Sequence, residues 1–370
     1  MKVEVKCYTS LTIPREKNKL GVSQFIFVLI LSFVLIVSMT VAVMLGPVSI
    51  SPITVWKIAL AKIPYISDFI VNDWSQAQEQ IIWEIRFPRV LLGAIVGAGL
   101  AVVGVAIQAL VRNSLADPFI LGVSSGASVG ATLVIIFGAF KLFGQYALST
   151  AAFLGALVSV LLVFMLAQVR GRISTVRLLL AGIAVSMILS AVTSYIVISA
   201  PREEGMRDAM FWMMGSLAGA KWEQLLIPFL CLLVGVVVLI LSYRPLNLLL
   251  MGDATATTLG MNIDVFKKFL ILLTALLTGV MVAVSGAIGF IGLMVPHIVR
   301  LMVGSDHRRV LIVSSLIGAI FLVWADVAAR TVVAPQELPI GIVTAICGGP
   351  FFIWLLRRSN YSFGTGDGDK

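Results

Sequence analysis

Long apolar runs separated by short polar breaks fill nearly the whole chain. The runs lie at 22–45, 90–111, 120–139, 147–168, 178–199, 224–242, 269–285, 286–303, 310–329 and 338–356, and a helix needs roughly 20 apolar residues to cross the hydrocarbon core of a bilayer. Backbone N–H and C=O groups in lipid must pair within their own segment, and the runs lack the ten-residue alternation of a transmembrane barrel, so the pattern predicts helices. The expected fold is therefore all-α and polytopic, with about ten transmembrane helices. That number depends on dividing 269–303, which as one helix would be about 52 Å long. Gly286, Gly289, Gly292 and Pro296 predict the break. Gly93 and Gly97, and then Gly122, Gly126 and Gly130, recur at four-residue spacing, which predicts close helix packing, with a sliding helix pair as the functional alternative. Gly348-Gly349-Pro350 points to an interrupted helix, a device transporters use beside their pathway.

Composition narrows the picture. Charged residues make up 12% of the 370 and mean hydropathy is +1.06, values a soluble domain of this size would not tolerate. No stretch between the runs is long enough for a separate domain, so the expected organisation is a tail at 1–21, one transmembrane domain at 22–358 and a tail at 359–370. The first apolar run exceeds the 7–15 residues of a signal h-region and reads as a first span with its N-terminus in the cytoplasm. With alternating sides, two thirds of the Lys and Arg residues fall in the segments then placed inside, including the loop 244–267, and both termini lie inside. The net charge of +9 is thereby mostly positive-inside bias and needs no nucleic acid to explain it. Cys7, Cys231 and Cys347 show no metal or disulfide spacing and read as small apolar filler.

The chemistry begins with negatives. No Gly-x-x-x-x-Gly-Lys-Ser/Thr loop is present, so ATP hydrolysis by that route is not expected of this chain. The two histidines, His297 and His307, suggest no metal centre and no catalytic cluster, and His297 reads as a helix-packing residue. Asp326 is the one acid inside a span, which by default is a functional hypothesis, but Arg330 four residues on offers an i,i+4 pair. An ion-coupled carrier would need more buried charge, and a membrane-embedded enzyme a His/Asp/Glu cluster at one membrane face.

A set of motifs then points to a family. Ile-Arg-Phe-Pro-Arg at 85–89, Asn-Ser-Leu-Ala-Asp-Pro at 113–118, Leu-Gly-Val-Ser-Ser-Gly-Ala at 121–127, Ser-Thr-Val-Arg-Leu-Leu-Leu-Ala-Gly at 174–182, Phe-Trp-Met-Met-Gly-Ser-Leu at 211–217, Gly-Ala-Ile-Gly-Phe-Ile-Gly-Leu-Met-Val-Pro-His-Ile-Val-Arg at 286–300 and Glu-Leu-Pro-Ile-Gly at 337–341 resemble, in order and spacing, the permease subunits of the iron-siderophore, haem and cobalamin ABC importers. The resemblance covers 85–358. It implies a type II importer bundle of ten helices in the bacterial or archaeal cytoplasmic membrane. A second permease copy, expected as a homodimer, would pair with two ATPase subunits that carry ATP and Mg, and an external binding protein would deliver the metal chelate. No cofactor is expected on this chain.

The resemblance also assigns roles. Arg86, Arg89 and Arg330 match outer arginines that receive acidic residues of the binding protein, a task suited to the planar, bidentate guanidinium, with headgroup anchoring as the alternative for the first two. Gly252, Asp253, Ala256, Leu259, Gly260 and Met261 match the short helix that couples to the ATPase. From the residues themselves, Asp253 could cap a helix that Gly260 ends, and Leu259 and Met261 would supply an apolar plug. Ser174 and Thr175 match a cytoplasmic gate, with Asn113 and Leu115 as a second constriction and helix capping as the competing role for Ser174. Met206, Met210, Met213 and Met214 beside Phe211 and Trp212 would suit the lining of a bulky ligand's path or ordinary packing. The motifs do not separate ferric siderophore, haem and cobalamin, though 325–331 stands nearer the haem and siderophore branches.

Overall fold

The computed structural model describes residues 17–358 apart from 47, 49, 66, 170 and 171; Cys7, most of the expected N-terminal tail and the whole C-terminal tail lie outside the described residues. Fourteen α-helices of six or more residues order the described chain: α1 Lys17–Met44, α2 Pro52–Ala61, α3 Phe87–Val111, α4 Val123–Phe137, α5 Ala147–Ala167, α6 Thr175–Ile198, α7 Glu203–Met213, α8 Leu226–Leu241, α9 Tyr243–Leu250, α10 Asp253–Thr258, α11 Ile263–Ser285, α12 Ile291–Val303, α13 His307–Thr331 and α14 Ile340–Arg358. A two-residue antiparallel pair, β1 Gln168–Val169 and β2 Arg172–Ile173, turns the chain between α5 and α6.

Eight helical segments among the described residues are long and apolar enough to cross a membrane. All ten apolar runs form helix, but two of the helices are short: α4 has 15 residues and α12 has 13. Each is extended by irregular backbone. A 3-10 turn at Pro118–Leu121 precedes α4. The five residues 286–290 precede α12 and can add about 16 Å to its roughly 20 Å. The predicted break therefore falls where Gly286 and Phe290 adopt positive φ. Gly286 and Ile288 within it are buried, and irregular backbone at membrane depth needs partners in the protein: the Ser285 carbonyl accepts the Ser216 N–H at 2.8 Å.

At the centre lies α3, buried along nearly its whole length. Glycine makes that possible. A Cβ on Gly97 would stand 2.2 Å from the Gly318 carbonyl oxygen, and one on Gly104 would stand 2.0 Å from that of Gly292, so α3 meets α13 and α12 backbone to backbone. The expected α4 stripe works the same way, with Gly126 against Gly155 and Gly130 against Ala151. The cysteines depart from the buried-filler expectation, since Cys231 is half-buried and Cys347 faces outward on α14. In a bilayer an outward apolar face is already out of water, so burial within the protein is not required of them.

Candidate functional site

The end of the bundle that the charge pattern places outside holds a compact ionic cluster. Pro88 cannot donate to an upstream carbonyl, and the chain enters α3 through a π-helical stretch, Gln80–Arg86, that absorbs the mismatch. Arg86 leaves this stretch pointing at the C-terminus of α1, donating to the carbonyls of Val43 at 3.0 Å, Met44 at 2.9 Å and Val48 at 2.5 Å. Arg330 donates to Ala42 at 2.6 Å. The carbonyls of Ala42, Val43 and Met44 are those a helix end leaves without partners, at the negative end of its dipole, and Val48 lies just beyond. Arg89 Nε donates to Asp326 Oδ1 at 2.8 Å, and its Nη1 reaches both oxygens of Glu337 at 2.9 Å. Arg330 Nε stands 3.5 Å from Asp326 Oδ2, the expected i,i+4 pair, but the shorter contact of Asp326 is to Arg89.

This corrects the picture of Arg86, Arg89 and Arg330 as a surface patch. All three are buried beneath the outer end, because the carbonyls of α1 and the two carboxylates already engage their donors. Glu337, whose side chain is 34% exposed, is the member of the cluster that reaches the surface. Its sequence motif was recognisable, but nothing in the sequence indicated its pairing with Arg89.

At the opposite end the segment expected to couple to an ATPase forms the short helix α10. Its N-cap is Gly252, at φ +99, not Asp253 as expected. Asp253 instead pairs with two cations, its Oδ2 2.7 Å from Lys267 Nζ and its Oδ1 3.6 Å from Arg112 Nη2. Ala256 is fully buried and Met261 half-buried. Leu259 is 60% exposed and Met251 63% exposed, and they form the apolar outer edge of the segment. Gly260, at φ +85, ends it as expected. Alongside, Asn247 of α9 donates to Asp306 Oδ1 at 2.9 Å and accepts from the His307 backbone N–H at 3.0 Å, clasping α9 to the start of α13. Burial favours the neutral Asp306 carboxyl, but hydrogen bonds from Asn247 and the Arg308 N–H, with Arg309 nearby, outweigh it and hold the group below its ordinary 3.8.

The four residues expected to form a gate lie at this same end. Ser174 precedes α6 and is exposed, with no side-chain capping bond. Asn113 Oδ1 accepts from the Leu115 N–H at 2.9 Å, which shapes the turn after α3. Among the described residues, no hydrogen bond joins Ser174 or Thr175 to Asn113 or Leu115. At the outer end Met206, Met210 and Met214 are exposed along and just beyond α7. The Met214 carbonyl accepts the Gly341 N–H at 3.0 Å.

Comparison with known proteins accords with this architecture. The FecCD transport family matches residues 34–358. The cobalamin import system permease protein of Halobacterium salinarum is 45% identical over 282 residues, 76% of this chain and 74% of its own length. The hemin transport system permease protein of Yersinia pestis is 43% identical over 291 residues, 77% of this chain and 86% of its own. A solved structure described as an inward-facing conformation of a metal-chelate type ABC transporter superposes with a TM-score of 0.77 at 33% identity, covering 90% of this chain and 99% of that one. This chain belongs to the FecCD transport family and is a multi-pass membrane permease of the ABC importer type.

Proposed function

We propose that the chain forms the transmembrane pathway of an ATP-driven importer for a bulky metal chelate in a bacterial or archaeal cytoplasmic membrane, and that it works as a homodimer carried on a pair of separate ATPase subunits. The observation that carries the proposal is the exposed apolar edge of the α10 segment, Leu259 and Met251, at the end where family members are expected to meet their ATPase. A small helix presenting two large apolar side chains fits the groove of a partner. The cobalamin and hemin relatives are of nearly equal identity, which supports a large planar metal chelate as the substrate class.

Alternating access follows if ATP binding changes the spacing of the two coupling segments and so biases the bundle between outward-open and inward-open states. Ser174, Thr175, Asn113 and Leu115 would then close the inner end across the two copies. Docking of an external binding protein would fall at Glu337. A carboxylate of that protein that displaced Glu337 would inherit Arg89, and the buried arginines would respond to docking through this one exchange.

The test is purification of the tagged chain from its native membrane in mild detergent. An ABC ATPase should co-purify with the unmodified chain and be lost with Leu259→Asp, which leaves the buried structure alone. Absence of any ATPase from a folded, unmodified chain would overturn the importer assignment.

A further inference from the structure

We infer that Asp253 is a positioning residue that ties the coupling helix to both long helices of the core, acting from within the chain and not as a contact to the ATPase. The inference deepens the reading above and rests on it.

One carboxylate meets two cations from two different helices. Lys267, on the second turn of α11, has a side chain only 4% exposed, and its Nζ lies 2.7 Å from Asp253 Oδ2. An ammonium held away from water needs an anion beside it, and among the described residues Asp253 is the carboxylate within ion-pair distance. Arg112 ends α3 in the left-handed conformation, φ +54, which directs the chain end toward α10. Its Nη2 is 3.6 Å from Asp253 Oδ1, and its Nη1 would stand 3.5 Å from a Cβ placed on Gly252. Asp253 Oδ1 is buried and has no hydrogen-bond partner, so its interaction with Arg112 is the ion pair alone.

The far ends of the two helices give the tie its consequence. Arg86 and Arg89 stand at the outer end of α3, about 37 Å away along its 25 residues. The outer end of α11 is Ser285, whose carbonyl receives the Ser216 N–H, and the next residue, Gly286, packs against the Trp212 carbonyl at the end of α7. A displacement of α10 is therefore carried by a single side chain into two rigid rods, one reaching the ionic cluster and the other reaching α7. The Asp253 side chain is 43% exposed, but both of its carboxylate oxygens lie against cations of this chain.

The experiment uses the chain co-purified with its ATPase and compares hydrogen exchange of residues 203–216 with and without ATP. Asp253→Asn together with Lys267→Met removes both charges at once, so the fold does not have to bury an uncompensated ammonium. This double variant should retain the ATPase and its hydrolysis while the ATP-dependent exchange difference at 203–216 falls by at least about fivefold, the low end of ordinary coupling between sites. Arg112→Gln should weaken the response in the same direction, and Asp253→Glu should preserve it. Loss of the ATPase from the double variant would make Asp253 a partner contact, and an undiminished ATP response would remove its transmitting role; either result overturns the inference. Failure of the underlying importer reading is distinguishable, since the unmodified chain would then hold no ATPase.

Discussion

Arg89 donates to Asp326 at 2.8 Å across 237 residues of sequence, joining α3 to α13 at a point almost sealed from solvent. The pair holds together a cluster of three guanidinium groups and two carboxylates, and Asp326 is its innermost anion. Replacing Asp326 by Asn should leave Arg89 and Arg330 short of charge and cost about 3–5 kcal/mol, the usual penalty for breaking a buried pair. Thermal unfolding in detergent would read this as a large drop in midpoint. Glu337→Gln should cost much less, because Glu337 is partly in water.

Arg86 should behave as a helix cap. Arg86→Met keeps much of the apolar stem but abandons two carbonyls at the end of α1 and that of Val48 beyond it, at about 1.5–3 kcal/mol for each charged hydrogen bond before relaxation. Faster amide exchange confined to the last turn of α1 and residues 45–50 is the expected signature. Uniform protection there would show that the carbonyls find other donors.

Close backbone approach predicts a steep size limit at Gly97. A side chain there would collide with the Gly318 carbonyl and with Leu322, so Gly97→Val should abolish folded expression. Gly219, with nothing within 4 Å of an added Cβ, should accept alanine without loss. Size-exclusion profiles of the two variants measure the contrast.

The Asn247–Asp306 clasp carries a pH signature. Because the folded carboxyl lies below its ordinary 3.8, the clasp contributes fully above that value and loses its contribution as pH falls through the lower folded value. Exchange of the α9 amides, corrected for intrinsic rates, should therefore be unchanged from pH 7 to 5 and rise only in stronger acid. Asp306→Asn should remove the acid-dependent rise.

Several of these features were legible in advance. Each of the ten apolar runs proved helical, though the apolar helix Pro52–Ala61 was not among them, and Gly286 marked the break before α12, because apolar length and backbone freedom are local properties. The sequence also showed that Asp326 and Arg330 share a helix face. It could not show that Arg89 is the closer partner of Asp326, nor that Lys267 and Arg112 converge on Asp253, because those contacts join segments far apart in the chain.

The sequence by itself determined that this chain lives in a membrane, that its long apolar runs are helical, and through its ordered motifs the family to which it belongs. Only the tertiary structure decided which charges are buried and whom they meet. A charge in an apolar bundle is placed by whatever partner the packing brings within a few ångströms, and spacing along the chain does not encode that distance. For this reason Arg86, Arg89 and Arg330 looked like a surface and proved to be an interior, and Asp253 looked like a cap and proved to be a tie between helices.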